Sequence, residues 1–165
     1  METFFNIIHY CLYKTDYKMH LLANKLNPFA LFGRIPAMKR KFQEQGTTLT
    51  EVVDNIWGDK RYGFSIMMSG AELVIAIFLI FMAVYDILNG VMNNPIHSSE
   101  LPVIICALLA YTICHSTVFK ADKYLKYFQQ FEKWSKAEKW KYGLLTFAFI
   151  AASIVLCIYS FRYLP

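Results

Sequence analysis

Residues 64–90 read FSIMMSGAELVIAIFLIFMAVYDILNG, an apolar run that carries Glu72 inside it and Asp86 towards its far end. A membrane-spanning helix needs about 20 mostly apolar residues. Two further windows meet that length, 101–119 (LPVIICALLAYTICHSTVF) and 142–161 (YGLLTFAFIAASIVLCIYSF). The whole chain has the same bias: of 165 residues 56% are hydrophobic and 18% charged, with 14 Phe and 11 Tyr. One soluble core of this size does not hide so much apolar surface. The sequence therefore reads as an all-α integral membrane protein with three transmembrane helices and cytoplasmic amphipathic helices.

Orientation follows from the 17 Lys and Arg. Nine precede the first span (Lys14, Lys18, Lys25, Arg34, Lys39, Arg40, Lys41, Lys60, Arg61), seven lie in 120–141, and none lies in the loop 89–100. By the positive-inside rule the N-terminus and the second loop are cytoplasmic, and the first loop and the C-terminus are outside, as expected in a cell (inner) membrane. Trp57, Tyr62, Trp140 and Tyr142 fall at the inner interface, Tyr159 and Tyr163 at the outer one. The start, METFFNIIHYCLYK, lacks the basic, apolar and small-residue regions of a cleavable signal, so the first span is expected to act as its own insertion signal.

Residues 1–63 are expected to form a cytoplasmic or interfacial helical arm, and 64–165 a transmembrane domain with a helical extension at about 120–141. In the arm, Phe5, Ile8, Leu12, Met19, Leu22 and Leu26 keep a 3,4 spacing interrupted only by Thr15, which predicts one apolar stripe on a helix over about 3–27, stopped by Pro28. PFALFGRIPAMKRKF suits a turn or a short helix on the inner leaflet, with Lys39, Arg40 and Lys41 as a basic cluster at the lipid surface. A nucleotide or nucleic acid is the weaker partner for that cluster, because topology already explains the charge. Thr48-Leu49-Thr50-Glu51 and Ser135-Lys136-Ala137-Glu138 are capping-box patterns, each predicted to open a helix. The second span is predicted to continue to about Trp134.

Stepping 4,3,4,3 from Ser65 places Ser65, Ser69, Glu72, Ala76, Leu79, Ala83 and Asp86 on one edge of the first span. Ala107, Ala110, Cys114 and Thr117 form a comparable seam on the second. On the third, Gly143, Thr146, Ile150, Ser153, Cys157 and Ser160 do the same. An ionised carboxylate near mid-bilayer is disfavoured by at least about 2.5 kcal/mol, so Glu72 is expected to face protein, with Tyr111 and His115 on the antiparallel second span as its buried polar partners.

Two readings follow. Small residues on three helices suit close packing of a bundle. The same seam, repeated around an axis in a homo-oligomer, would line a cation path: Ser65 and Ser69 at the inner mouth, then Glu72, a constriction at Leu79, and Asp86 at the outer mouth. The expected activity is therefore a small homo-oligomeric channel whose cytoplasmic helices control it; the alternative is a non-catalytic scaffold or accessory subunit of a larger complex. Catalysis is not expected, because His9, His20, His97 and His115 are scattered and no hydrolase, zinc or phosphate-loop motif is present. Cys11, Cys106, Cys114 and Cys157 lack ligand-like spacing, so neither a metal, another cofactor nor a disulfide framework is expected.

Overall fold

The computed structural model of the chain describes residues 1–25, 35–92 and 100–163. These residues are helical with short turns, and no strand occurs among them. In chain order the helices are α1 (Glu2–Lys25), α2 (Pro36–Glu44), α3 (Leu49–Gly58), α4 (Phe64–Val91), α5 (Leu101–Cys114), α6 (Lys123–Phe131) and α7 (Lys136–Ser160). A π-turn, His115–Phe119, and a short 3-10 turn, Lys120–Asp122, join α5 to α6. Three stretches are long and apolar enough to cross a membrane: Phe64–Val91, Leu101–Phe131 and Lys136–Tyr163.

The helix starts follow local chemistry. Thr48 accepts from the Glu51 amide at 3.2 Å while the Glu51 carboxylate accepts from the Thr48 amide at 2.9 Å, closing the capping box that opens α3. Ser135 and Glu138 repeat the exchange at 3.3 and 2.8 Å to open α7. Each box satisfies amides that a helix start otherwise leaves bare. At α2, Pro36 sits in the first turn, where its missing N–H is no loss. Ahead of α4, the Asp59 carboxylate accepts from the amides of Tyr62 and Arg61, both at 2.7 Å, and winds the chain into the first span.

Two expectations are corrected. α1 forms, but of the described members of the expected stripe only Ile8 is buried, with Phe5 and Leu12 half-buried. Asn6, Ile7, Ile8, His9, Tyr10 and Tyr13 are buried, whereas Met19 and Leu22 are 61% and 58% exposed. Asn6, His9, Tyr10 and Tyr13 meet rings or backbone carbonyls of other segments and share that face with Ile7 and Ile8. Leu26, Pro28 and the first part of PFALFGRIPAMKRKF lie outside the described residues.

The second correction is that the helix of the second span does not run unbroken to Trp134. Its backbone turns left-handed at Ala121 (φ 57°) and Asp122 (φ 52°), so α6 starts anew at Lys123.

The chain divides into two compact units, residues 12–70 and residues 1–11 with 71–165. α1 and α4 each contribute to both. In the first unit the Tyr13 hydroxyl donates to the Gly58 carbonyl at 2.7 Å. A Cβ on Gly58 would lie 2.7 Å from the Tyr17 ring, so glycine there permits the close approach of α1 and α3. One turn further along, His20 stacks on Trp57 at 4.4 Å and meets Asp54 at 3.0 Å, and Asn24 donates to the same Asp54 oxygen at 2.9 Å. In the second unit the start of α1 packs on α6 through Tyr10 and Phe128 (5.1 Å) and on α7 through Phe4 and Phe149 (5.6 Å).

Candidate functional site

The first-span seam lies along α4. Ser65, Ser69, Ala76, Ala83 and Asp86 are all buried, and Glu72 and Leu79 are half-buried. Leu73 and Ile77 widen the buried edge on one side. Ser69 donates to the Ile66 carbonyl at 3.1 Å. Asp86, 5% exposed, accepts from Ser160 at 3.0 Å, which ties the far end of α4 to α7.

Near that contact a Cβ on Gly90 would stand 2.5 Å from the Tyr163 carbonyl oxygen, so the two backbones meet almost directly. The third-span seam is also inward: Thr146, Ser153 and Ser160 are buried and Gly143, Ile150 and Cys157 half-buried. Each of the three hydroxyls bonds a carbonyl of its own helix at 2.8–2.9 Å. Polar atoms are thereby silenced on a face that must sit against protein.

Tyr111 and His115, expected as buried partners of Glu72, are not buried. Both are exposed, Tyr111 by 55%, and their rings lie against each other at 5.8 Å. The buried edge of α5 is Cys106, Ala110 and Cys114, each about 100° round the helix from the exposed positions 107, 111 and 115. Small side chains take the edge that packs closely, and the bulky rings are turned out. Lys39, Arg40 and Lys41 are exposed on α2.

The arrangement that sequence reasoning missed is the break in the second span. The Lys120 amide bonds the His115 carbonyl, closing a five-residue π-turn. Ser116 and Thr117 both donate their hydroxyls to the Ile113 carbonyl, at 3.0 and 2.7 Å, which favours a bend. The bend leaves carbonyls without their helical donors, and side chains supply them. Lys123 donates to the Ser116 carbonyl at 3.3 Å, and Asn6 of α1, fully buried, donates to the Thr117 carbonyl at 3.0 Å. Glu2 then meets Lys123 at 3.3 Å. The start of α1 thus latches the break.

Beside the latch, His9 lies edge-on to Phe119 at 5.6 Å and Tyr124 at 5.5 Å, and packs on Phe128 at 5.4 Å. Tyr10 extends the cluster to Phe131 and Trp134, both at 5.6 Å. Burial, with Glu132 nearby, pushes the Tyr10 phenol up to about 12, so it stays protonated. Burial likewise raises the Cys11 thiol, which has a bond to Thr146 acting the other way. Such a thiol is a poor nucleophile at neutral pH. The signal for the break was present in HSTVFKADK, two adjacent hydroxyl residues followed by a polar run. Nothing in that pattern specifies Asn6, more than a hundred residues earlier.

The chain matches no family model, no curated protein and no solved structure.

Proposed function

We propose that the protein is a non-catalytic membrane subunit, a helical scaffold that packs with other polypeptides in the bilayer. The observation that carries this reading is the closure of the first-span seam within one chain. Ser65, Ser69, Ala76, Ala83 and Asp86 are each exposed by 5% or less, while Ile75, Val84, Ile104, Leu108, Leu144, Phe147 and Val155 are between 45% and 74% exposed. Polar and small positions are spent on internal packing, and the outer surface offered to lipid or to a neighbour is apolar. The proposed orientation has the N-terminus in the cytoplasm and the C-terminus outside.

The channel reading asks that Ser65, Ser69 and Asp86 open onto a symmetry axis, and their burial in a single chain weighs against that. Its remaining support is that Glu72 and Leu79 are only half-buried. Leu79→Ser separates the two. In a conduit it hydrates the constriction and gives a leak current in a reconstituted bilayer; in a scaffold the folded variant stays silent. A leak current, together with a homo-oligomeric ring of the purified chain in detergent, would overturn the subunit reading.

A further inference from the structure

Helix α2 has no buried residue. Its apolar side chains are not enclosed: Ile35, which caps it, is 44% exposed, Met38 is 38% exposed and Phe42 half-buried. At about 100° per residue, Met38 and Phe42 stand about 40° apart, with Ile35 beside them, so the three make one narrow stripe. Lys39 lies about 60° beyond Phe42 and Lys41 about 60° short of Met38, one cation on each flank. Arg40 falls opposite the stripe, and Glu44, the only acid on the helix, also points away from it. Long lysine stems flanking an apolar stripe can lay their methylenes along it and still reach charged groups at its level.

From this we infer that α2 is an anchor for an anionic leaflet. Met38 and Phe42 enter the headgroup–acyl boundary, Lys39 and Lys41 bind the phosphates on either side, and Arg40 remains in water. The occupant is a lipid surface because charge and hydrophobicity are arranged for a plane, and because the bilayer is near in the chain: Glu44 precedes the first span, which opens at Phe64, by a single short helix and its turns. A nucleic acid would reward all three cations about equally and leave the stripe unused. The inference is independent of what the transmembrane seams do.

The test is hydrogen–deuterium exchange of the full chain in nanodiscs of phosphatidylcholine alone or mixed with phosphatidylglycerol. The α3 amides behind the Thr48–Glu51 box serve as an internal reference for folding. Exchange in α2 should slow roughly tenfold to thirtyfold in the anionic discs, since each basic residue at such a surface contributes a factor of about five. The double variant Lys39→Gln/Lys41→Gln should lose that protection, and Arg40→Gln should keep it. Equal exchange in the two lipids would overturn the anchor. So would protection abolished by Arg40→Gln, or protection in phosphatidylcholine discs conferred equally by an added single-stranded oligonucleotide.

Discussion

Burial, with one oxygen lacking a partner among the described residues, holds the Asp16 carboxyl above the ordinary carboxylate range. The Tyr62 and Arg61 amides hold the Asp59 carboxyl below it. The signs of their pH dependence are opposite. For Asp16, stability is greatest below the unfolded value of about 3.9 and is lost as pH rises through the folded one. Asp16→Asn should therefore raise the thermal midpoint at pH 7 and bring no gain at pH 3, as read by unfolding in detergent. For Asp59, the contribution is present above about 3.9 and disappears as pH falls through the lowered folded value, so Asp59→Ala should lower the midpoint at pH 7. Glycines offer a second contrast. Gly90→Ala drives a methyl into the Tyr163 backbone and should destabilise by about 1–3 kcal/mol. Gly143→Ala meets nothing within 4 Å and should be stabilising by up to about 1 kcal/mol through helix propensity.

Helix edges differ in how openly the chain declares them. The seams of α4 and α7 were legible because small and hydroxyl residues recur at 3,4 spacing among bulky aliphatics, and in a membrane that contrast alone chooses the inward face. On α5 the same rule slipped in part: Ala110 and Cys114 are inward, but Ala107 is exposed and Cys106 buried, because Cys106 and Ala107 are both small and spacing alone does not choose between neighbours. The capping boxes were legible because both partners are three residues apart. The α1 docking face was not, since its value lies in rings and an amide brought together from distant segments. The break also escaped notice, because left-handed Ala121 and Asp122 carry no glycine to announce them. Ala121→Gly should relieve that backbone and stabilise by about 1 kcal/mol, whereas Ala121→Val should destabilise; denaturant titration in micelles distinguishes them. Asn6→Leu leaves the Thr117 carbonyl without its donor and should remove about 1–3 kcal/mol, with faster amide exchange in α1 and α6 together.

Across the bilayer, the charge distribution makes a direct demand. With the N-terminus inside, a cysteine introduced at Glu100 should react with a membrane-impermeant thiol reagent from outside, and one at Lys133 should not, each against the background of the four native thiols. Reversed labelling would invert the proposed orientation, and with it the leaflet that α2 meets. The latch itself has a bearing on how the protein is made. Asn6 and Thr117 are 111 residues apart, and the Phe4–Phe149 contact spans more. During synthesis the first helix emerges first, yet the surfaces that its opening residues dock on arise from the second and third spans and α6, so this segment must wait through most of translation with His9 and Tyr10 uncovered. Its closure is complete only when the last span is in place, because the Phe4–Phe149 contact needs α7, which makes full docking of the N-terminus a marker of a finished chain. Nascent chains arrested before Phe149 should expose residues 2–10 to protease, and full-length chains should protect them. An aromatic face that in the mature protein is architecture is thus, for the growing polypeptide, an interval of vulnerability in which a chaperone or an early partner has its opportunity.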